Sequence, residues 1–131
     1  MSGPEKIGTG KTILVIEDDP SVQLLVRKAL GMYGFNVVAA DDGLDGLMKL
    51  ETLRPDLIIA DMMMPRLDGM GFVKAIKGRG ETKSIPVIFL TAKSDPKSMI
   101  EGINVGARFY VTKPFQIDDL LGKVQKALKV T

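Results

Sequence analysis

Three short runs, Ile13-Leu14-Val15-Ile16, Leu57-Ile58-Ile59-Ala60 and Val87-Ile88-Phe89-Leu90, are apolar at every position. A strand with one face in water alternates apolar and polar residues, whereas an unbroken run needs cover on both faces, the condition of a parallel sheet between helices. The rest of the chain supplies that cover. Stretches at 12–16, 35–40, 56–60, 86–90 and 108–111 read as five strands, and the amphipathic segments between and after them read as five helices. Strict alternation implies an α/β fold with right-handed crossovers.

The first helix has Val22, Leu25, Val26, Ala29 and Leu30 at helical spacing, with Asp19 as N-cap, Pro20 at the first helical position, and Gly31 and Gly34 to stop it. The second, over residues 44–53, carries Leu44, Leu47 and Met48, and the third, near 70–77, turns Phe72, Val73 and Ile76 inward. The fourth repeats the start signal with Asp95 and Pro96 and sets Met99, Ile100 and Ile103 on one face. The last, over 117–130, has a stripe of Ile117, Leu120, Leu121, Val124 and Leu128. Because the three driest strands belong in the middle, and Asn36, Arg108 and Thr112 mark the other two as edges, the expected strand order is 2-1-3-4-5. That order places the topological switch point between strands one and three, where ligands bind beyond the carboxyl ends of the strands.

Acids stand at that place. Strand one runs into Glu17-Asp18-Asp19 and strand three into Asp61. Carboxylates converging to ~4 Å repel by ~4 kcal/mol per pair at an effective dielectric near 20, so such a cluster requires a cation or protons. The chain has no cysteine and no histidine, which removes thiolate and imidazole nucleophiles, bases and ligands. Any metal is then held by oxygen. Mg2+ is the favoured ion, because it keeps several waters and bridges one or two carboxylates to a phosphate. A carboxylate beside such an ion can attack phosphorus, and Asp61, alone at the end of the middle strand, is the best nucleophile. Thr91 after strand four and Lys113 after strand five offer a hydroxyl and an ammonium for the phosphoryl oxygens. Taken singly, an Asp after a strand is usually a cap or turn residue, which is the role expected of Asp19, Asp41, Asp42, Asp68 and Asp95.

The remaining composition sets bounds. A chain of 131 residues is one domain, and a formal charge of +2 points to neither nucleic acid nor an anionic membrane. Apolar stretches are too short to span a bilayer and no signal segment is present, so a cytosolic protein is expected. Residues 1–11, rich in Gly, Ser, Pro and Thr, read as a flexible lead-in or cloning remnant, leaving residues 12–131 as the domain. Gly8-Thr9-Gly10-Lys11-Thr12 fails as a phosphate-binding loop, because it runs into a strand instead of opening a helix. Lys123, Lys126 and Lys129 form a solvated stripe or a dock for an acidic partner.

Ile13-Leu14-Val15-Ile16-Glu17-Asp18-Asp19-Pro20, Asp61-Met62-Met63-Met64-Pro65-Arg66-Leu67-Asp68-Gly69, Leu90-Thr91-Ala92 and Lys113-Pro114-Phe115 together resemble the receiver domain of two-component response regulators. The resemblance covers about residues 11–130. It implies a flavodoxin-like fold and phosphorylation of Asp61 from the phosphohistidine of a histidine kinase or histidine phosphotransfer protein. It further implies Mg2+ held by Asp18, Asp61 and the backbone carbonyl of Met63, with Glu17 assisting through water, and a cis Lys113-Pro114 bond. Thr91 and Lys113 would contact the phosphoryl group. Thr91 and Tyr110 would act as a coupled switch that alters the surface of helix four, strand five and helix five and so regulates a downstream protein target. Self-pairing of the active form stays open.

Glu17 stands where the family more often has Asp. Met63 and Lys93 flank the phosphoryl position, and an apolar Met63 offers no hydrogen bond to an attacking water, which favours a long-lived aspartyl phosphate. The Met62-Met63-Met64 run is otherwise a soft partner-binding surface. Two rival functions remain: a receiver-like interaction module that is never phosphorylated, and a metal-dependent phosphatase of the haloacid dehalogenase type. The latter requires a second Asp where Met63 stands.

Overall fold

The structure, a computed structural model, describes residues 5–64, 66–92 and 96–130, with Ser98 and Met99 described in backbone only. Strands β1 (Thr12–Ile16), β2 (Asn36–Ala40), β3 (Leu57–Asp61), β4 (Val87–Ala92) and β5 (Phe109–Lys113) form one parallel sheet in the order β2-β1-β3-β4-β5. This is the expected order. Between and after them run α1 (Pro20–Met32), α2 (Gly43–Lys49), α3 (Gly69–Lys77), α4 (Pro96–Val105) and α5 (Ile117–Leu128). No described helix is long and apolar enough to cross a membrane.

The period-2 direction of strand side chains splits the dry runs between two cores. Ile13, Val15, Ile59, Ile88, Leu90 and Val111 face α1 and α5, packing against Val26, Leu30, Leu120, Leu121 and Val124. Leu14, Ile16, Ile58, Ala60, Val87 and Phe89 face the other way, against Phe72, Val73 and Ile76 of α3. Burial on both sides is why the runs Ile13–Ile16, Leu57–Ala60 and Val87–Leu90 carry no polar residue. It also fixes the register, since a one-residue slip would exchange the two faces.

One expectation needs correction, and the structure gives the sense of two helix faces that the sequence left open. Residues 5–11 are not outside the fold: Ile7 packs against the first core, the Gly8 amide donates to the Tyr33 carbonyl at 2.9 Å, and the Asn36 amide donates to the Lys11 carbonyl at 2.9 Å. The segment lies over the end of α1 beside Phe35, a role that polar composition hides. In α2, Leu44 and Met48 point outward, with Met48 68% exposed, while the buried residues are Gly43 and Gly46. In α4, Ile100 and Ile103 are also outward, at 62% and 58% exposure. Among the described residues of α4, Gly102 is buried against the sheet, where an added Cβ would lie 2.9 Å from the Phe89 ring. Both helices bring a glycine against the sheet, with Leu47 of α2 and Val105 of α4 packed against the core beside it. The Asp95 cap lies outside the described residues.

Helix starts follow the local chemistry. Asp19, Asp42 and Asp68 are the N-caps of α1, α2 and α3, accepting from the amides of Ser21, Asp45 and Gly71. At Gly69 the first turn of α3 presses on the end of β3, where an added Cβ would stand 2.6 Å from the Asp61 carbonyl oxygen and 2.9 Å from Met62 Cα. Both neighbours are backbone and cannot give way. Gly69→Ala should therefore lower the unfolding free energy by about 1–3 kcal/mol, measured from the urea midpoint, and an unchanged midpoint would contradict this close approach.

Candidate functional site: an acidic cluster with a lysine at the switch point

Strand topology delivers the groups. Asp61 is the last residue of β3, Glu17 follows β1, Thr91 is the fifth residue of β4, and Lys113 ends β5. The register Ile16↔Ala60, Asp61↔Leu90 and Ala92↔Lys113 brings all four strand ends to one rim. Glu17, Asp18 and Asp61 each present a carboxylate oxygen, and these oxygens lie within 4.8 Å of one another. Lys113 Nζ closes the group, donating to Glu17 Oε1 at 2.5 Å and to Asp61 Oδ2 at 3.0 Å. The Met63 amide donates to Asp61 Oδ1 at 3.1 Å. The sequence-expected acids, lysine and Met63 therefore meet in one place.

Burial differs across the cluster in a way that matters. Glu17 is fully buried and Asp61 is 6% exposed, whereas Asp18 lies open to solvent. One acid is thus accessible from outside and two face inward. Burial pushes the Glu17 carboxyl up to about 7, and sharing a hydrogen bond with Asp61 adds to the rise, while Lys113 opposes it. Burial alone would lower the Lys113 pKa, but its hydrogen bonds to Glu17 and Asp61 outweigh that and raise it. The lysine is a built-in cation that holds this repulsive cluster together when nothing else neutralises it.

Thr91 is buried, at 2% exposure, one residue beyond the Leu90 that pairs with Asp61. Tyr110 is half-buried on β5 and packs against the α3 side of the core, and burial raises its phenol pKa. The Lys113-Pro114 peptide bond is cis, as the resemblance implied. Met63 is 70% exposed at the mouth. Lys93 lies outside the described residues. The sequence reading passed over Gln23, whose Nε2 donates to the Glu17 carbonyl at 3.0 Å, the Ala40 carbonyl at 3.3 Å and Asp41 Oδ1 at 3.1 Å. A polar residue on the first turn of a helix after an acidic strand end was the available signal. It also treated Asp42 as a cap alone, although its second oxygen accepts from Arg66 Nε at 2.5 Å.

Residues 13–125 match the family model for the response regulator receiver domain. The chain belongs to this family. It is 35% identical over 119 residues to the response regulator MprA of Mycobacterium tuberculosis, a match covering 91% of this chain and 51% of MprA. Among solved structures it resembles the chemotaxis response regulator CheY4 of Vibrio cholerae (TM-score 0.86, 35% identity, 92% of this chain and 100% of that one). It also resembles the receiver domain of a sensor histidine kinase from Pseudomonas aeruginosa, solved with a magnesium ion in its active-site cleft (TM-score 0.85, 28% identity, 92% and 99%). The chain spans about half the length of the curated relatives it matches. Receiver domains are phosphoacceptor signalling switches that interact with histidine kinases and downstream targets and bind Mg2+ at an acidic site, and this receiver carries the acidic cluster that fits such a site.

The pH dependence of the metal-free receiver follows from Glu17. Its carboxyl holds a proton more tightly when folded, near 7, than at the ordinary value of 4.5, so the stabilising contribution is full below 4.5 and is lost as pH rises through about 7. Urea midpoints measured in chelator should fall from about pH 5 to about pH 8 in the wild type and change less in Glu17→Gln. An identical slope in the two proteins would contradict the raised value.

Proposed function

We propose that Asp61 is the phosphoacceptor of this receiver and that Mg2+ is held by Asp18, Asp61 and the backbone carbonyl of Met63, with Glu17 assisting through water. The observation that carries the reading is the meeting of Asp18, Asp61, Glu17 and Lys113 at the ends of non-adjacent stretches of chain. The donor set fits the ion: all the candidate ligands are oxygen, and one carboxylate oxygen from each of Glu17, Asp18 and Asp61 lies within 4.8 Å of the others, as a small hard cation would need. A solvent-open Asp18 leaves the ion reachable and hydrated, as Mg2+ requires. Bound there, the ion supplies charge neutralisation between the carboxylates and the phosphoryl oxygens.

The chain's own residues do the rest. An Asp61 carboxylate oxygen forms a bond to phosphorus while the phosphorus–nitrogen bond of a partner's phosphohistidine breaks; the electron pair stays on the imidazole nitrogen, which takes up a proton. No base is needed on this chain, because a carboxylate nucleophile has no proton to lose. Lys113 transfers a hydrogen bond from Asp61 Oδ2 to a phosphoryl oxygen, and the Thr91 hydroxyl donates to another. A phosphoryl group brings nearly two charges and three acceptors into a space lined by buried groups, so the contacts of Lys113 and Thr91 must rearrange. Movement of Thr91 opens space beside β5 for the Tyr110 ring, coupling the site to the surface of α4, β5 and α5. That surface, with Ile100 and Ile103 exposed on α4, is where a downstream protein target binds.

Incubation with acetyl phosphate and Mg2+ tests this, read by intact mass. Wild type should gain one phosphoryl group and Asp61→Ala none; no gain in wild type would contradict the assignment. Met63, exposed at the mouth, presents no hydrogen-bonding group to an attacking water. Met63→Asn should therefore shorten the lifetime of the aspartyl phosphate several-fold, on the order of one added hydrogen bond in the transition state. An unchanged dephosphorylation rate would count against it.

A further inference from the structure

The loop that leaves Asp61 is tied down at Met62, Arg66, Leu67 and Gly69. At the base, the Met62 amide donates to the Leu90 carbonyl at 3.0 Å and the Met62 carbonyl accepts from the Gly69 amide at 3.2 Å. Farther out, the Leu67 carbonyl accepts from the Gly43 amide at 3.2 Å. That contact is backbone on backbone, since a Cβ added at Gly43 would stand 2.3 Å from the Leu67 oxygen. Beside it, Arg66 Nε reaches Asp42 Oδ2 at 2.5 Å, while Asp42 Oδ1 accepts from the Asp45 amide at 2.9 Å and caps α2.

Two features set the Arg66–Asp42 pair apart from an ordinary surface ion pair. Asp42 is 6% exposed and both of its oxygens are engaged, so its position is set by α2 and not by the arginine. Arg66 holds φ +64°, in the left-handed region that glycine enters freely and side-chain-bearing residues rarely do. Such a conformation persists where surrounding contacts over-determine it, often next to a functional site. Here the flanking contacts are the hydrogen bond from the Gly43 amide to the Leu67 carbonyl and the salt bridge, which runs from the rim of α2 to the loop that carries Met63. The guanidinium beside Asp42 also holds that carboxyl below its ordinary range.

We propose that Arg66 and Asp42 form a positioning pair that fixes the Met63 loop and so presents the Met63 backbone carbonyl to the metal ion. The pair touches neither the ion nor the phosphoryl group. It acts as an outer partner that orients a ligand, and loss of such partners costs about 10–100-fold in metal affinity. The inference rests on the metal assignment made above for Asp18, Asp61 and Met63.

The test is Mg2+ titration of the isotope-labelled full chain, with dissociation constants read from amide chemical shifts at the rim. Arg66→Met and Asp42→Asn should each weaken Mg2+ binding about tenfold. Asn retains the capping acceptor for α2, so Asp42→Asn breaks the pair without uncapping the helix. The double variant should bind Mg2+ no more weakly than either single one. Arg66→Gly separates positioning from stability, because it relieves the left-handed backbone and should raise or preserve the melting temperature while still weakening Mg2+. Affinities within twofold of wild type in both single variants, or a double variant weakened by the product of the two factors, would overturn the pair. Asp61→Ala is the control for the metal assignment: if it binds Mg2+ as wild type does, that assignment fails, whereas loss of binding there with no effect at Arg66 or Asp42 sinks this inference alone.

Discussion

Two buried carboxylates that repel one another, Glu17 and Asp61, are held beside the solvent-open Asp18, with oxygens of all three within 4.8 Å, because buried parallel strands end there. The sheet is fixed by apolar burial on both faces, and the direction of its strands decides that β1 and β3 end side by side. Each carboxylate pair at such a distance repels by roughly 3–4 kcal/mol at an effective dielectric near 20. Folding into this state therefore requires a neutralising partner, and Lys113 is that partner when no ion is bound. The same charge imbalance makes the site receptive to a divalent cation and leaves Asp61 as the inward acid with an exposed mouth in front of it. Signalling chemistry is in this sense a consequence of electrostatic frustration imposed by packing.

Acidic residues at the rim divide into two groups by what neutralises them. Asp19, Asp42 and Asp68 spend their oxygens on the amides at the starts of α1, α2 and α3, where free N–H groups and the helix dipole favour negative charge. Glu17, Asp18 and Asp61 have no helix start to satisfy them. Asp42 bridges the two groups, since it caps α2 with one oxygen and anchors Arg66 with the other. Local helix chemistry thereby reaches the loop that follows Asp61.

Much of this was legible before any coordinates. Unbroken apolar runs at Ile13–Ile16 and Val87–Leu90 can only be doubly covered strands, and Asn36 marks an edge because its strand has one open side, so the sheet order followed. The rim acids followed in turn, because strand ends in a parallel sheet share one edge. What the sequence left open was the sense of α2 and α4. An amphipathic stripe reports that one face is apolar, but α2 and α4 turn Gly46 and Gly102 toward the sheet and leave Met48, Ile100 and Ile103 outside. Small residues carry little hydrophobic signal even where they make the closest contact. Residues such as Ile7, Gln23 and Arg66 escaped for a related reason: each acts through a partner distant in sequence, Ile7 against a core built from later strands and Arg66 through Asp42, and no local pattern announces that.

The central claim is that Asp18, Asp61 and the Met63 carbonyl share one divalent ion. Crystals soaked with Mn2+, an ion that accepts the same oxygen ligands and scatters anomalously, test it most directly. A single anomalous peak within bonding distance of Asp18, Asp61 and the Met63 carbonyl oxygen is the predicted result. A peak elsewhere, or none at a saturating concentration with the rim open to solvent, would contradict the account.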